Sequence, residues 1–169
     1  PRGSAGRWDL AAARYQPLLV LVEHGEPRCW QRIERYISRY DDWPVLHYGE
    51  TESLALLRMA QRQGVSEPQQ ARLRRRLVDV HARIRQHWRL PLNSYGLKSV
   101  ASWRGFQWGQ SGVDGAHALL WWRHWQGEGP ERRGSSHALR WIFQYNRDDC
   151  RATWAVADWL RHQDQAGGS

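Results

Sequence analysis

The sequence predicts an α/β domain, on three observations. Two short apolar runs, "PLLVLVEHGEP" and "WPVLHYGE", each lead into a segment whose apolar residues recur at helical spacing. The remainder reads as successive helices, and 169 residues are enough to bury one sizeable core. Strands alternating with helices, then helices alone, is the pattern of a sheet with helices packed on it.

Each element has its own signal. Residues 1–16, opening "PRGSAGRWDLAAAR", are small and polar without a period, so a poorly ordered N-terminal segment is expected there and the domain itself at 17–161. "PLLVLV" is a continuous apolar run ending at Gly25 and Pro27, which reads as a buried strand entering a turn. Trp30, Ile33, Ile37 and Tyr40 then mark one face of a helix. "WPVLHYGE" is a second strand, and "TESLALLRMAQRQG" a helix with Thr51 as N-cap and Gly64 as its stop. "QQARLRRRLVDVHARIRQHW" begins as an Arg-rich helix, breaks into a short strand around Leu77 to Val80 and resumes as helix. "NSYGLKSVASWRGF" starts a helix at Asn93 or Ser94 and ends it at Gly105. Asp114 caps "GAHALLWWRHWQ". In the last helix, 137–161, the inward stripe is Ala138, Trp141, Ile142, Tyr145, Asp149, Ala152, Thr153, Val156 and Leu160. Residues 162–169, ending "QDQAGGS", are expected to be a disordered tail.

Charge narrows the partner class. There are 25 Lys plus Arg against 17 Asp plus Glu, a net charge of +8, which favours a polyanion such as nucleic acid. Lys98 is the only lysine, however, and an Arg-dominated excess also follows from a genome-wide base bias. Twelve Trp supply large core surfaces and, where exposed, stacking platforms for bases. Two isolated cysteines, Cys29 and Cys150, do not make a metal knuckle or a disulfide framework, which fits a reducing cytoplasm. No apolar run approaches the roughly 20 residues that span a bilayer, and no leader pattern is present. The chain begins with Pro rather than Met, as a fragment would.

The candidate site residues are acidic. Tyr145 and Asp149 lie four apart on the apolar stripe of the last helix, so Asp149 points inward or into a cleft. A buried carboxylate needs a cation, a set of donors or a metal ion, and each remains open here. Glu52 opens the helix after the second strand, where α/β folds gather functional groups and where the helix dipole alone also favours an acid. Asp79 ends the short strand, either as a third inward carboxylate or as a helix cap.

"HYGETE" (His47 to Glu52) and "YNRDDCRATWAVADWL" (Tyr145 to Leu160), with "LVDVHARI" and "LPLNSYGLKSVASWRGFQW" between them, resemble the RNase H-like domain of bacterial RecB-family putative nucleases. This YprB-type domain belongs to the DEDD exonuclease superfamily, and the resemblance spans about residues 17–161. It implies an RNase H-like α/β fold, a central mixed sheet flanked by helices, and a two-metal phosphodiesterase using Mg²⁺ or Mn²⁺ on DNA or RNA. Residue by residue, it implies Glu52 and Asp149 as metal-binding carboxylates. Tyr145 would orient the attacking water, Asp148 would be an additional acidic residue near the metals, and Asp79 would play a supporting part. Lys98, Arg104 and the arginines between 72 and 76 would meet phosphates, while Tyr95, Trp103 or Trp108 would lie along the bound strand, the tryptophans as stacking platforms. For each of these the alternative is a solvated face or a core ring.

One motif of that family is missing. Its first strand carries Asp-x-Glu, whereas nothing before Pro17 reads so; Asp9 is followed two places on by Ala11. The expectation is therefore a domain whose first strand is missing or replaced, whose two-metal site is incomplete, and which is impaired as an exonuclease. A fragment, a disrupted reading frame and a degenerate binder all fit that pattern. The other functional classes are a non-catalytic nucleic-acid-binding module and a plain interaction domain with incidental charge.

Overall fold

The computed structural model describes residues 14–19, 25–110, 112–129, 131 and 136–166. The chain runs α1 (Glu26–Arg39), β1 (Val45–His47), α2 (Glu50–Arg62), α3 (Glu67–Arg76), β2 (Leu77–Asp79), α4 (Val80–His87), α5 (Leu97–Trp103), α6 (Gly115–Gly127) and α7 (His137–Ala166). Strands β1 and β2 pair in parallel, with Val45 opposite Leu77, Leu46 opposite Val78 and His47 opposite Asp79. Helices α2 and α3 form the crossover that a parallel pair requires.

This corrects the expected central mixed sheet. Among the described residues the sheet has two strands, both parallel, and helices supply most of the core. The expected first strand is not seen where it can be examined: residues 17–19 carry no strand and Leu19 is 37 % exposed, while residues 20–24 lie outside the described residues. Residues 1–13 and 167–169 also lie outside them.

Two clusters hold the helices. Val80, Ile84, Val100, Ala152 and Val156 are buried where α4, α5 and α7 meet, and Leu46 of β1 packs against them. Burying each large aliphatic side chain contributes about 1.5–3 kcal/mol. The smaller cluster centres on Trp30, Ala60 and Leu73, joining α1, α2 and α3; Ile33 and Ile37 of the expected α1 stripe pack against it. Arg76 closes that unit, donating from its guanidinium to the carbonyls of Ile37, Tyr40 and Trp43 at 2.7–3.0 Å. It thereby satisfies carbonyls that the end of a helix leaves open.

Local signals succeed and fail for identifiable reasons. Asp114 caps α6 by accepting from the N–H groups of Ala116 and His117, and Gly64 and Gly105 follow α2 and α5 with φ of +72° and +85°, as expected. Helix α2 starts two residues earlier than Thr51 suggests, with Gly49 at the N-cap and φ of +89°. Helix α5 starts at Gly96 rather than at Asn93 or Ser94; the Ser94 Oγ instead accepts from the Gly96 N–H at 3.2 Å. Helix α7 runs on to Ala166, so residues 162–166 are helical rather than a loose tail, with Asp164 paired to Arg83 of α4 at 3.2 Å.

Candidate active site

The first turn of α2, the start of α5 and the middle of α7 border an open cleft of about 860 Å³ beside the C-terminal end of β1. Glu52, Lys98, Tyr145 and Asp149 all line it, over an apolar floor that includes Leu46, Leu56 and Trp154. Three separate elements thus bring charged groups from distant parts of the sequence to one place.

Glu52 reaches the cleft because of how α2 begins. At Gly49, φ is +89° and ψ is −179°, a conformation open almost only to glycine. The Gly49 N–H donates to Asp79 Oδ1 at 3.0 Å, and the Gly49 carbonyl lies 2.6 Å from His47 Nδ1. The same Asp79 oxygen accepts from the N–H groups of His81 and Ala82, at 2.9 and 3.1 Å, capping α4. One carboxylate oxygen therefore ties the start of α2 to the start of α4. Asp79 takes the capping role, and it does not line the cleft.

Asp148 and Asp149 divide their environments. Asp148 is 6 % exposed, and its Oδ2 accepts from the Gly109 N–H at 3.0 Å. Its other oxygen lies 3.7 Å from Arg147 Nε, and it too is outside the cleft lining. Asp149, partly buried, faces the cleft, and its carboxyl is pushed up to about 6. Burial is the main cause; Lys98 opposes it, while the charges of Glu52 and Asp148 add to it. The charge of Glu52 is thus felt at Asp149 across the cleft. Burial and the Asp149 charge likewise raise the Tyr145 hydroxyl, and burial with Asp149 and Glu52 raises the Cys150 thiol.

Lys98 is the cation at this site. Its Nζ stands 5.4 Å from the centre of the Trp108 ring and 5.5 Å from that of Tyr145, within cation–π range of both. The remaining residues expected to meet a bound strand lie elsewhere. Arg104 is six positions beyond Lys98, about 240° around the helix axis. Its guanidinium covers the rings of Trp103 and Trp159, at 5.4 and 5.2 Å. The Tyr95 hydroxyl accepts from the Leu90 N–H at 2.8 Å, and its carbonyl accepts from the Tyr48 hydroxyl at 2.6 Å, so Tyr95 is built into the loop. Arg72 and Arg76 pair with Asp41, and Arg74 with Glu67. His81, stacked on Tyr48 at 5.2 Å, and Asn146 also line the cleft and were not singled out from sequence. The one available signal for His81 was its position at a strand-to-helix junction, two residues after Asp79.

Two carboxylates facing one cleft are donors suited to a hard divalent cation. Glu52 and Asp149 are the side chains that could share one. Among the described residues no group of three His, Cys, Asp or Glu could hold a metal ion, so this donor set is too small for a two-metal centre. No helix among those residues is long and apolar enough to cross a membrane.

A family model of the RNase_H superfamily matches residues 10–161. No curated protein and no solved structure matches the chain.

Proposed function

The chain belongs to the RNase H superfamily, and from that premise we propose that it is a nuclease-type domain of the RecB-family, YprB-like kind, related to 3′–5′ exonucleases that act on DNA or RNA in repair or recombination. The single observation that best supports this reading is the shared cleft of Glu52, Tyr145 and Asp149, with the Asp149 carboxyl raised to about 6. In this reading Glu52 and Asp149 would hold Mg²⁺ or Mn²⁺, which when bound would supply charge neutralisation at the scissile phosphate and activation of the attacking water. The Tyr145 hydroxyl, one helical turn from Asp149, orients that water. Lys98 meets a phosphate oxygen, and the apolar floor of the cleft takes the terminal base.

Asp79 and Asp148 act in support: Asp79 holds the start of α2 and Asp148 holds the loop at Gly109. A full two-metal exonuclease needs more carboxylates than these, and the sequence has no Asp-x-Glu before residue 17. Catalysis by this chain is therefore expected to be weak. A reducing cytoplasm is the compartment we propose, in keeping with the free cysteines Cys29 and Cys150.

The lack of a three-ligand group among the described residues favours one alternative, a non-catalytic nucleic-acid-binding domain. Incubation of the chain with 5′-labelled single-stranded DNA and Mn²⁺ separates the two. Products shortened stepwise from the 3′ end, and lost in Asp149→Asn and Glu52→Gln, support the nuclease. Intact DNA with salt-sensitive binding retained supports the binding domain.

A further inference from the structure

Helix α1 carries arginines at 28, 32, 35 and 39. At 3.6 residues per turn these four fall within about 60° of one another around the helix axis. All four are exposed, and the face opposite them holds Trp30, Ile33 and Ile37, packed into the smaller core cluster. Among the described residues none of the four is in an ion pair. The arginines behind them on α2 and α3 differ: Arg62 pairs with Glu26, Arg72 and Arg76 with Asp41, and Arg74 with Glu67. Of the six arginines on α2 and α3 four are thus paired, Arg58 and Arg75 being the exceptions, whereas the outer stripe of α1 has four exposed arginines in a row without an ion pair among the described residues.

The stripe is about 16 Å long at 1.5 Å per residue. Duplex nucleic acid presents one phosphate per about 3.4 Å of axis on each strand, and because the strand winds about the axis a straight track of this length meets the few phosphates that face it. Tyr36 and Tyr40, 38 % and 41 % exposed, flank the arginines on one side, and the Arg39 guanidinium lies 5.7 Å from the Tyr40 ring. The apolar side of α1 is already buried, so the helix has no face to insert into a lipid surface.

We infer that the outer face of α1 is a second nucleic-acid contact, a track for the sugar–phosphate backbone that is separate from the cleft. It holds a strand without reading its sequence, since guanidinium contacts to phosphate carry position rather than base identity. The inference rests on nucleic acid being the partner of this domain and is independent of metal binding in the cleft.

The test is fluorescence anisotropy of a labelled 20-base-pair duplex with the full chain, across a salt series. Arg32→Gln with Arg35→Gln is expected to weaken binding at least about fivefold and to make the slope of log affinity against log salt shallower by about 2. The control, Arg74→Gln with Arg83→Gln, removes the same net charge from paired positions and is expected to leave the slope nearly unchanged. Far-ultraviolet circular dichroism checks that both variants keep their helix. Equal losses in test and control variants would overturn the inference, since net charge alone would then explain binding. So would absence of duplex binding at low salt, or capture by anionic phospholipid vesicles or an acidic peptide in its place. Mn²⁺ binding to the same preparations reports on the cleft separately, so failure of the track and failure of the cleft reading are distinguishable.

Discussion

Helix α7 has two sides, and its adjacent carboxylates sit on different ones. Toward the loop that follows α5, Asp148 is buried and accepts from the Gly109 N–H, so its charge is met by the fold. Toward the cleft, Asp149 is partly buried beside another carboxylate, with Lys98 the cation that opposes the upward shift of its carboxyl. Neighbouring residues on a helix point about 100° apart, enough to give identical side chains opposite uses. A carboxylate whose partners are backbone donors stabilises a structure. One left raised at a cleft is available to a ligand.

The largest expected effect removes the support common to both sides. Ile84 is fully buried in the cluster that joins α4 to α7, and Ile84→Ala is expected to cost about 2–5 kcal/mol in urea unfolding. Next comes the cleft side. Asp149→Asn is expected to lower Mn²⁺-dependent cleavage at least about 100-fold, equivalent to about 2.7 kcal/mol. The same change should stabilise the fold at neutral pH. The folded-state value of Asp149 is raised from 3.8 to about 6, so its ionisation opposes folding. That penalty is absent below the unfolded value, grows between the two and is complete above about 6. Thermal melts should therefore show Asp149→Asn more stable than the parent at pH 7.5 and equal to it near pH 3.5.

On the other side the pattern reverses. Asp148→Ala leaves the Gly109 N–H without its acceptor and is expected to cost about 1–2 kcal/mol of stability, with a smaller change in Mn²⁺ affinity than Asp149→Asn produces. A Mn²⁺ affinity lost equally in both variants would erase the distinction between the two sides. The smallest effect tests how Glu52 is aimed. Nothing lies within 4 Å of a Cβ built on Gly49, so Gly49→Ala meets backbone strain alone, at φ of +89°. About 1 kcal/mol of stability should be lost, with Mn²⁺ affinity falling as α2 shifts.

What the sequence made legible follows from range. Helical spacing identified α1 and α7, and it placed Tyr145 and Asp149 on one face, because those signals are local. Strand β1 was readable as an apolar run before a helix start and β2 as a break around Leu77 in a helical segment, whereas the other apolar run, opening at Pro17, carries no strand over residues 17–19. The start of α2 was not, since its N-cap is a glycine whose N–H is met by Asp79, 30 residues away. Thr51 carried the usual side-chain cap signal but lies inside the helix. The inward stripe of α7 was right for Ala152, Val156 and Leu160, whereas Trp141 is 44 % exposed, against Trp121 of α6. Sequence also ranked Asp149 as the inward carboxylate, while Asp148 is the more deeply buried, because the loop at Gly109 packs on a side the stripe did not include. Arg104 and Trp103 shared a segment with Lys98 and so were grouped with it, although the turn of α5 separates them.

The central claim is that Glu52 and Asp149 form one coupled, cation-ready pair. A carbon-13 NMR titration of the Asp149 side-chain carboxyl, with and without Mg²⁺ and in Glu52→Gln, tests it most directly. The account predicts a midpoint near 6 in the metal-free chain, lowered by Mg²⁺ and, without metal, lowered by Glu52→Gln. A midpoint near 3.8 that neither Mg²⁺ nor Glu52→Gln moves would contradict it.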